Sequence, residues 1–234
     1  MQSLRQDFTA VVAGATGGIG RALADALDAD ARCDRVIRLA RRDTACPLDI
    51  TDEASVAAAA ATVKARLGQI DLFLDATGAL TIDGRGPEKA LGQLDPAIMA
   101  RAFAINAIGP ALLLKHFAPL LPRERRAVFG TLSARVGSIG DNRLGGWISY
   151  RAAKAALNQI VRTAAIEIAR RHPLAVCVAL HPGTVATALS APFVGSRGVS
   201  TPAEAASRLL VVLDGLNPAD SGGHFAHDGC RVPD

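Results

Sequence analysis

The sequence predicts a doubly wound parallel α/β sheet in three layers, and three observations carry that expectation. Short apolar, β-branched runs alternate with longer helix-periodic stretches along the whole chain. Those runs are almost continuously apolar, as strands covered on both faces must be. The first of them breaks into a cluster of glycines before the first helix. At 234 residues, half of them apolar and 21% charged, the chain has material for one such domain and little room for a second.

The elements follow in order. Phe8 to Ala13 reads as a strand, Gly14 to Gly20 as a tight turn, and Ile19 to about Leu27 as an amphipathic helix. A second strand runs from Arg35 to Ala40 and ends at Arg41-Arg42. The link to a third, Leu48-Asp49-Ile50, is so short that the intervening helix is expected to be truncated or lost. Thr51 to Leu67 is an Ala-rich helix with Thr51 or Asp52 as its cap. A fourth strand spans Ile70 to Asp75. Asp95-Pro96 opens a long helix to about Leu120, the acid capping and the proline taking the first turn. The fifth strand is Ala127 to Leu132, then comes a helix from Tyr150 to Arg171 and a sixth strand from Leu174 to Leu180. Thr201-Pro202 starts a last helix ending near Leu213.

Two constellations carry chemistry. In Gly14-Ala15-Thr16-Gly17-Gly18-Ile19-Gly20 the glycines let backbone approach a pyrophosphate, and the helix that follows offers free N–H donors and a positive dipole end. The glycine spacing differs by one register from the GxGxxG dinucleotide fingerprint. The second is the chain's single tyrosine, Tyr150, with one of only four lysines, Lys154, four residues on and so on the same helix face. A phenol near pKa 10 is a poor proton donor at neutral pH, and a neighbouring ammonium stabilises its anion and draws that pKa down.

With these residues on the page, the chain resembles the short-chain dehydrogenase/reductase family over essentially its whole length, which implies a Rossmann fold. Gly14 to Gly20 is similar to that family's glycine motif, and Tyr150 with Lys154 to its active-site pair. His181-Pro182-Gly183-Thr184-Val185 through Thr187 is similar to the segment that folds over the nicotinamide and pyrophosphate. Asn106 falls where the family has a helix-interrupting asparagine that holds a water joining Lys154 to solvent. Asp49-Ile50 falls where an acid-apolar pair contacts adenine, and Gly78 is kept from the family's Asn-Asn-Ala-Gly. Gly86-Pro87-Glu88-Lys89, Asn106 to Pro110 and Gly145 to Arg151 look like the C-factor or sniffer-like branch, which includes carbonyl reductases and proteins of intercellular signalling.

The resemblance implies NAD(P)-dependent hydride transfer with a small carbonyl or alcohol substrate. Tyr150 would give the proton, Lys154 would hold the nicotinamide ribose, and a serine would polarise the carbonyl. Family spacing favours Ser138 for that serine, while position at the strand end favours Ser133, on which the reading settles. Arg41 and Arg42 stand where an acid would select NAD; guanidinium pairs with a 2′-phosphate, so NADP(H) is favoured and NAD(H) remains open, with Arg21 able to assist. The rival is a protein of the same fold whose NAD(P) occupancy controls partner contacts.

Other features are bland or excluding. Asp75-Ala76-Thr77 replaces the family's Asn-Asn-Ala, bringing an acid toward the adenosine side or merely holding backbone amides. The net charge of +4 comes from dispersed arginines, and aromatics are only 4%, which argues against a nucleic-acid surface. No apolar run of the ~18 residues that span a membrane is evident, and the N-terminus lacks a secretory pattern. The scattered Cys33, Cys46, Cys177 and Cys230 read as reduced thiols of a cytoplasmic protein. His224, His227 and Cys230 lack a second half-site, so no metal is expected, and His181 is expected to order the Pro182 turn. Leu112 to Leu121 and Ile160 to Ile168 have the apolar spacing of core or subunit contact, consistent with a homodimer or homotetramer. Ala188 to Ser200, with Leu189, Phe193 and Val194, reads as a substrate loop with an apolar face, to which Trp147 adds.

Overall fold

The computed structural model describes residues 1–42, 44–193 and 199–234. Six strands form one parallel sheet: β1 (Phe8–Ala13), β2 (Cys33–Leu39), β3 (Leu72–Asp75), β4 (Ala127–Leu132), β5 (Ala175–His181) and β6 (His224–Ala226), in the order β2-β1-β3-β4-β5-β6. β1, β3 and β4 are buried at every position, which is why they read as unbroken apolar runs.

Among the described residues the α-helices follow the expected order: α1 (Gly18–Asp28), α2 (Glu53–Leu67), the composite α3 (Pro96–Phe103) and α4 (Gly109–Phe117), α5 (Ile148–Arg171) and α6 (Pro202–Gly215). One face of the sheet, carrying Val11, Phe73 and Phe129, packs on α2, α4 and α5 through Val63, Phe117 and Leu157. The other, with Val12, Leu74 and Leu180, packs on α1 and α6 through Leu23 and Leu209. Caps form where side-chain chemistry dictated them: Asp52 accepts from Ala54, Asp95 from Ala97 and Ile98, and Thr201 with Glu204 closes a capping box.

Three expectations need correction. Leu48-Asp49-Ile50 is not a strand: only an isolated bridge joins Ala40 to Pro47, so β2 is left as the sheet edge. Too few residues separate β2 from this segment to make the right-handed crossover that a further parallel strand requires. Second, β6 was missed, because three residues set among glycines and histidines carry no periodic signal. Third, Pro96–Leu120 forms a helical run of 25 residues, long and apolar enough by length and composition to cross a membrane. Here it lies on the sheet, with Leu113 and Phe117 fully buried; a proline, an asparagine and a lysine hid its length from a search for unbroken apolar runs.

Candidate active site

The site lies beyond the carboxyl ends of β1, β3, β4 and β5, where a parallel sheet delivers its loops. At β1 the chain turns at Gly14 (φ +77) into α1. A Cβ on Gly20 would stand 2.2 Å from the Gly14 carbonyl oxygen, so only glycine lets the helix sit this close to the strand. α1 begins with no acidic residue in its first turn and no side-chain cap at Gly17, leaving its N–H groups for an anion. The segment after β5 meets this turn: a Cβ at Gly18 would lie 2.7 Å from Thr187 Cγ2. Gly183 turns at φ +79 beside the His227 ring, and Val185 is buried, in a bridge with Ser200. Pro182 and Gly183 are half-buried between them. These residues fit a dinucleotide: a glycine-rich cradle under a helix N-terminus, with the segment after β5 beside it.

Tyr150 and Lys154 sit in the first two turns of α5. The Lys154 ammonium lies 5.9 Å from the Tyr150 ring centroid and donates to the Leu132 carbonyl at 2.8 Å. Lys154 is 2% exposed, and burial draws its pKa down to about 8, opposed by the Asp75 carboxylate. Burial pushes the Tyr150 phenol up to about 12. The expected drop toward neutrality is therefore not seen, since burial disfavours the phenolate.

Asn106 is fully buried in a single π turn, Ala104–Ile108, which interrupts the α3–α4 helix as the resemblance implied. Its Nδ2 donates to Ala102 O at 3.0 Å and Ala79 O at 2.9 Å, and its Oδ1 accepts from Ala79 N at 3.0 Å. It thus holds the segment around Gly78 and Ala79 against the lysine: a Cβ on Gly78 would be 3.1 Å from Asn106 Oδ1 and 3.7 Å from Lys154 Nζ.

Asp75 commits both carboxylate oxygens to neighbouring residues. Its Oδ1 accepts from Thr77 N and Thr77 Oγ1 at 2.9 and 2.6 Å, and its Oδ2 from Thr131 Oγ1 at 2.6 Å. Of the two roles open to it, holding backbone and neighbouring hydroxyls is the one the geometry takes. Burial raises its pKa, while these bonds and Lys154 work against the rise.

The two serine candidates are both buried and both engaged elsewhere. Ser133 Oγ donates to Asn158 Oδ1 at 2.6 Å, and Ser138 Oγ accepts from Asp141 N at 3.0 Å. Asn158 lies eight residues beyond Tyr150, about 12 Å along the helix axis at 1.5 Å per residue. Neither hydroxyl bonds Tyr150 among the described contacts.

At the adenosine end, Arg41 and Arg42 are exposed beyond β2. Asp49 accepts from Thr51 N and Thr51 Oγ1, which together with Arg41 lower its pKa. Ile50 is 8% exposed and wedged against Gly109 in the core. Beside Thr16 a cavity of about 590 Å³ runs along β2, lined by Arg21, Arg66, Thr44 and Cys46; Arg66 is a basic residue the sequence reading passed over. Over the reaction end stand Trp147, edge-on to Tyr150 and to Phe193. Leu189 is exposed, and Val194 lies outside the described residues. His181 Nδ1 and His224 Nε2 are buried without hydrogen-bond partners among the described residues, and burial lowers both imidazoles to about 4. Among the described residues no group of three His, Cys, Asp or Glu is placed to hold a metal.

Comparison with known proteins agrees with this fold. A family profile described as Enoyl-(Acyl carrier protein) reductase matches residues 13–211. The 1-hydroxy-2-glutathionyl-2-methyl-3-butene dehydrogenase of a Rhodococcus species is 34% identical over 182 residues, covering 78% of this chain and 76% of that protein. C-signal of Myxococcus xanthus is 36% identical over 167 residues, 71% of this chain and 93% of that one. The NADPH-bound carbonyl reductase from chicken fatty liver superposes with a TM-score of 0.85 at 27% identity, covering 98% of this chain and 95% of that structure.

Proposed function

The chain belongs to the short-chain dehydrogenase/reductase family, and we propose that this NAD(P)-dependent oxidoreductase is an NADPH-preferring reductase of a small, fairly apolar carbonyl compound, or runs the reverse alcohol oxidation. The observation that carries the reading is Tyr150 and Lys154 on one face of α5, beside Gly78 and Asn106 and at the same sheet end as the glycine turn. The similarity to an NADPH-bound carbonyl reductase supports it.

In this reading Gly14, Thr16, Gly17, Gly18, Ile19 and Gly20 receive the pyrophosphate, Asp49 and Ile50 flank the adenine, and Arg41 and Arg42 take the 2′-phosphate. Pro182, Gly183, Val185 and Thr187 cover the nicotinamide, which when bound supplies or accepts the hydride. Tyr150 delivers the proton to the carbonyl oxygen. With a pKa near 12 it is fully protonated at neutral pH and needs a cation nearby to give that proton up. Lys154, at about 8, is still charged at pH 7 and supplies that cation while holding the ribose hydroxyls. Asn106 keeps Gly78 and Ala79 against the lysine. Ser133 polarises the carbonyl once its hydroxyl exchanges Asn158 for substrate. We further propose a cytoplasmic homodimer or homotetramer; light scattering on the purified chain tests the assembly, and cell fractionation the compartment.

A side-by-side fluorescence titration with NADPH and NADH tests the cofactor. Tenfold tighter NADPH, about 1.4 kcal/mol, with carbonyl reduction in a substrate panel, supports the proposal; equal or tighter NADH removes the arginine argument. A second reading, a nucleotide-regulated signalling protein, rests on the similarity to C-signal. Tyr150→Phe separates the two: an enzyme loses turnover with binding kept, a sensor keeps its output.

A further inference from the structure

α5 carries both Tyr150 and Lys154, yet its own N-cap is poor. Trp147 occupies that position in the left-handed region (φ +55) and offers no capping side chain. The missing acceptor arrives from 61 residues away. Glu88, in the Gly86-Pro87-Glu88-Lys89 segment, is only 7% exposed. Its Oε2 accepts from Ser149 N, the second helical N–H, at 3.2 Å, and its Oε1 accepts from Ser149 Oγ. Its main-chain oxygen accepts from Trp147 N. A carboxylate at this spot does what an Asp N-cap does, satisfying an orphan donor and meeting the positive end of the helix.

The same residue belongs to the wall of the reaction end. Glu88, Ser149 and Tyr150 border one small cavity with Leu80, Ile82 and Ile98. Two residues before Glu88, a Cβ added to Gly86 would stand 3.4 Å from the Phe193 ring, which packs on Trp147. Glu88 thereby ties the loop after β3 to the turn that presents the proton donor.

We propose that Glu88 is a positioning residue for Tyr150, its buried carboxylate serving as the N-terminal cap of α5 in place of a local one and fixing where the phenol oxygen stands. This deepens the reductase reading and rests on it. The hydrogen bonds of Glu88 run to Ser149 and Trp147 and to none of the residues assigned to the pyrophosphate, adenine, 2′-phosphate or nicotinamide, so its loss separates proton delivery from cofactor binding.

The test is Glu88→Ala with Glu88→Gln beside it, measured with NADPH and a carbonyl the wild type reduces. Glu88→Ala is expected to lower kcat at least tenfold, with NADPH Kd unchanged within twofold. Glu88→Gln, which keeps an acceptor for the Ser149 N–H, is expected to recover most of the loss. Trp147 is the only tryptophan in the chain, so its emission reports the helix start without any turnover: it should shift in Glu88→Ala and stay near wild type in Glu88→Gln. Unchanged kcat in Glu88→Ala would overturn the proposal. So would a loss of NADPH affinity and melting temperature in step with kcat, which would make Glu88 a general fold contact. Should the wild type reduce nothing, the reductase reading fails, and the emission comparison alone decides whether Glu88 holds the α5 start: no shift in Glu88→Ala overturns it.

Discussion

Replacing Asn106 by alanine probes how the interrupted helix supports the site. The side chain is fully buried and makes three hydrogen bonds, two to both polar groups of Ala79 and one to Ala102 O. At about 1 kcal/mol net for each bond, Asn106→Ala should cost about 3 kcal/mol. The carbonyl of Ala102, itself 3% exposed, loses its side-chain donor with no water in reach, whereas half-buried Ala79 can take water in exchange. For a chain of this size that is about 6–12 °C in melting temperature. Asn106→Asp should do no better than alanine, because it turns an oxygen toward two carbonyls where Nδ2 donated. Urea unfolding at pH 7 with equal slopes for all three proteins is the assay. NADPH titration should show weakened binding too, since Gly78 and Ala79 lose the bonds that hold them beside Lys154. A stability change below about 1 kcal/mol in Asn106→Ala would refute the reasoning, meaning the π turn relaxes to an ordinary helix and satisfies Ala102 by itself.

Four further outcomes are expected. Tyr150→Phe should lower kcat by about 10²–10⁴, the usual contribution of a positioned proton donor, while NADPH affinity stays within about twofold; single-turnover rates check it. Gly20→Ala should abolish NADPH binding, because its methyl would press on the Gly14 carbonyl at 2.2 Å, and backbone cannot swing aside; calorimetry on the soluble protein reads this. Ser133→Ala should cut kcat about 10²-fold if the hydroxyl polarises the carbonyl. An effect confined to stability, about 1 kcal/mol for the bond to Asn158, would leave Ser133 a strut between β4 and α5. Finally, His181 and His224 have folded pKa values lowered from 6.5 to about 4, so their neutral forms stabilise the fold above pH 6.5, and that stability is lost as pH falls toward 4. His224→Asn should flatten this acid limb in denaturant unfolding between pH 6.5 and 4; an unchanged slope would contradict the burial argument.

Much of this was legible in order along the chain, because the signals are local. Strand β1 matches its apolar run residue for residue, Asp95-Pro96 and Thr201-Pro202 mark helix starts by capping chemistry alone, and Tyr150 and Lys154 share a face because four residues make about one turn. The short link after Arg42 correctly foretold a lost helix, though not the lost strand. Other readings turned on what surrounds a residue. Asp75 could be read as facing the nucleotide until Thr77 and Thr131 were seen to take both its oxygens. Serine spacing could not decide between Ser133 and Ser138, since a hydroxyl's direction depends on which helix packs over the strand end.

The alternation of apolar runs, the glycine turn and the tyrosine-lysine spacing suffice to specify a doubly wound sheet with a dinucleotide site, because each is written in neighbouring residues. The protonation state of that site is decided in three dimensions. The ammonium near 8 is a product of burial beside Gly78 and Leu132, and the phenol near 12 of burial among Trp147, Leu80 and Ile82, all contributed by separate stretches of chain. So is the cap of α5, which the chain supplies from Glu88 only because folding brings a distant loop to a helix that begins without one.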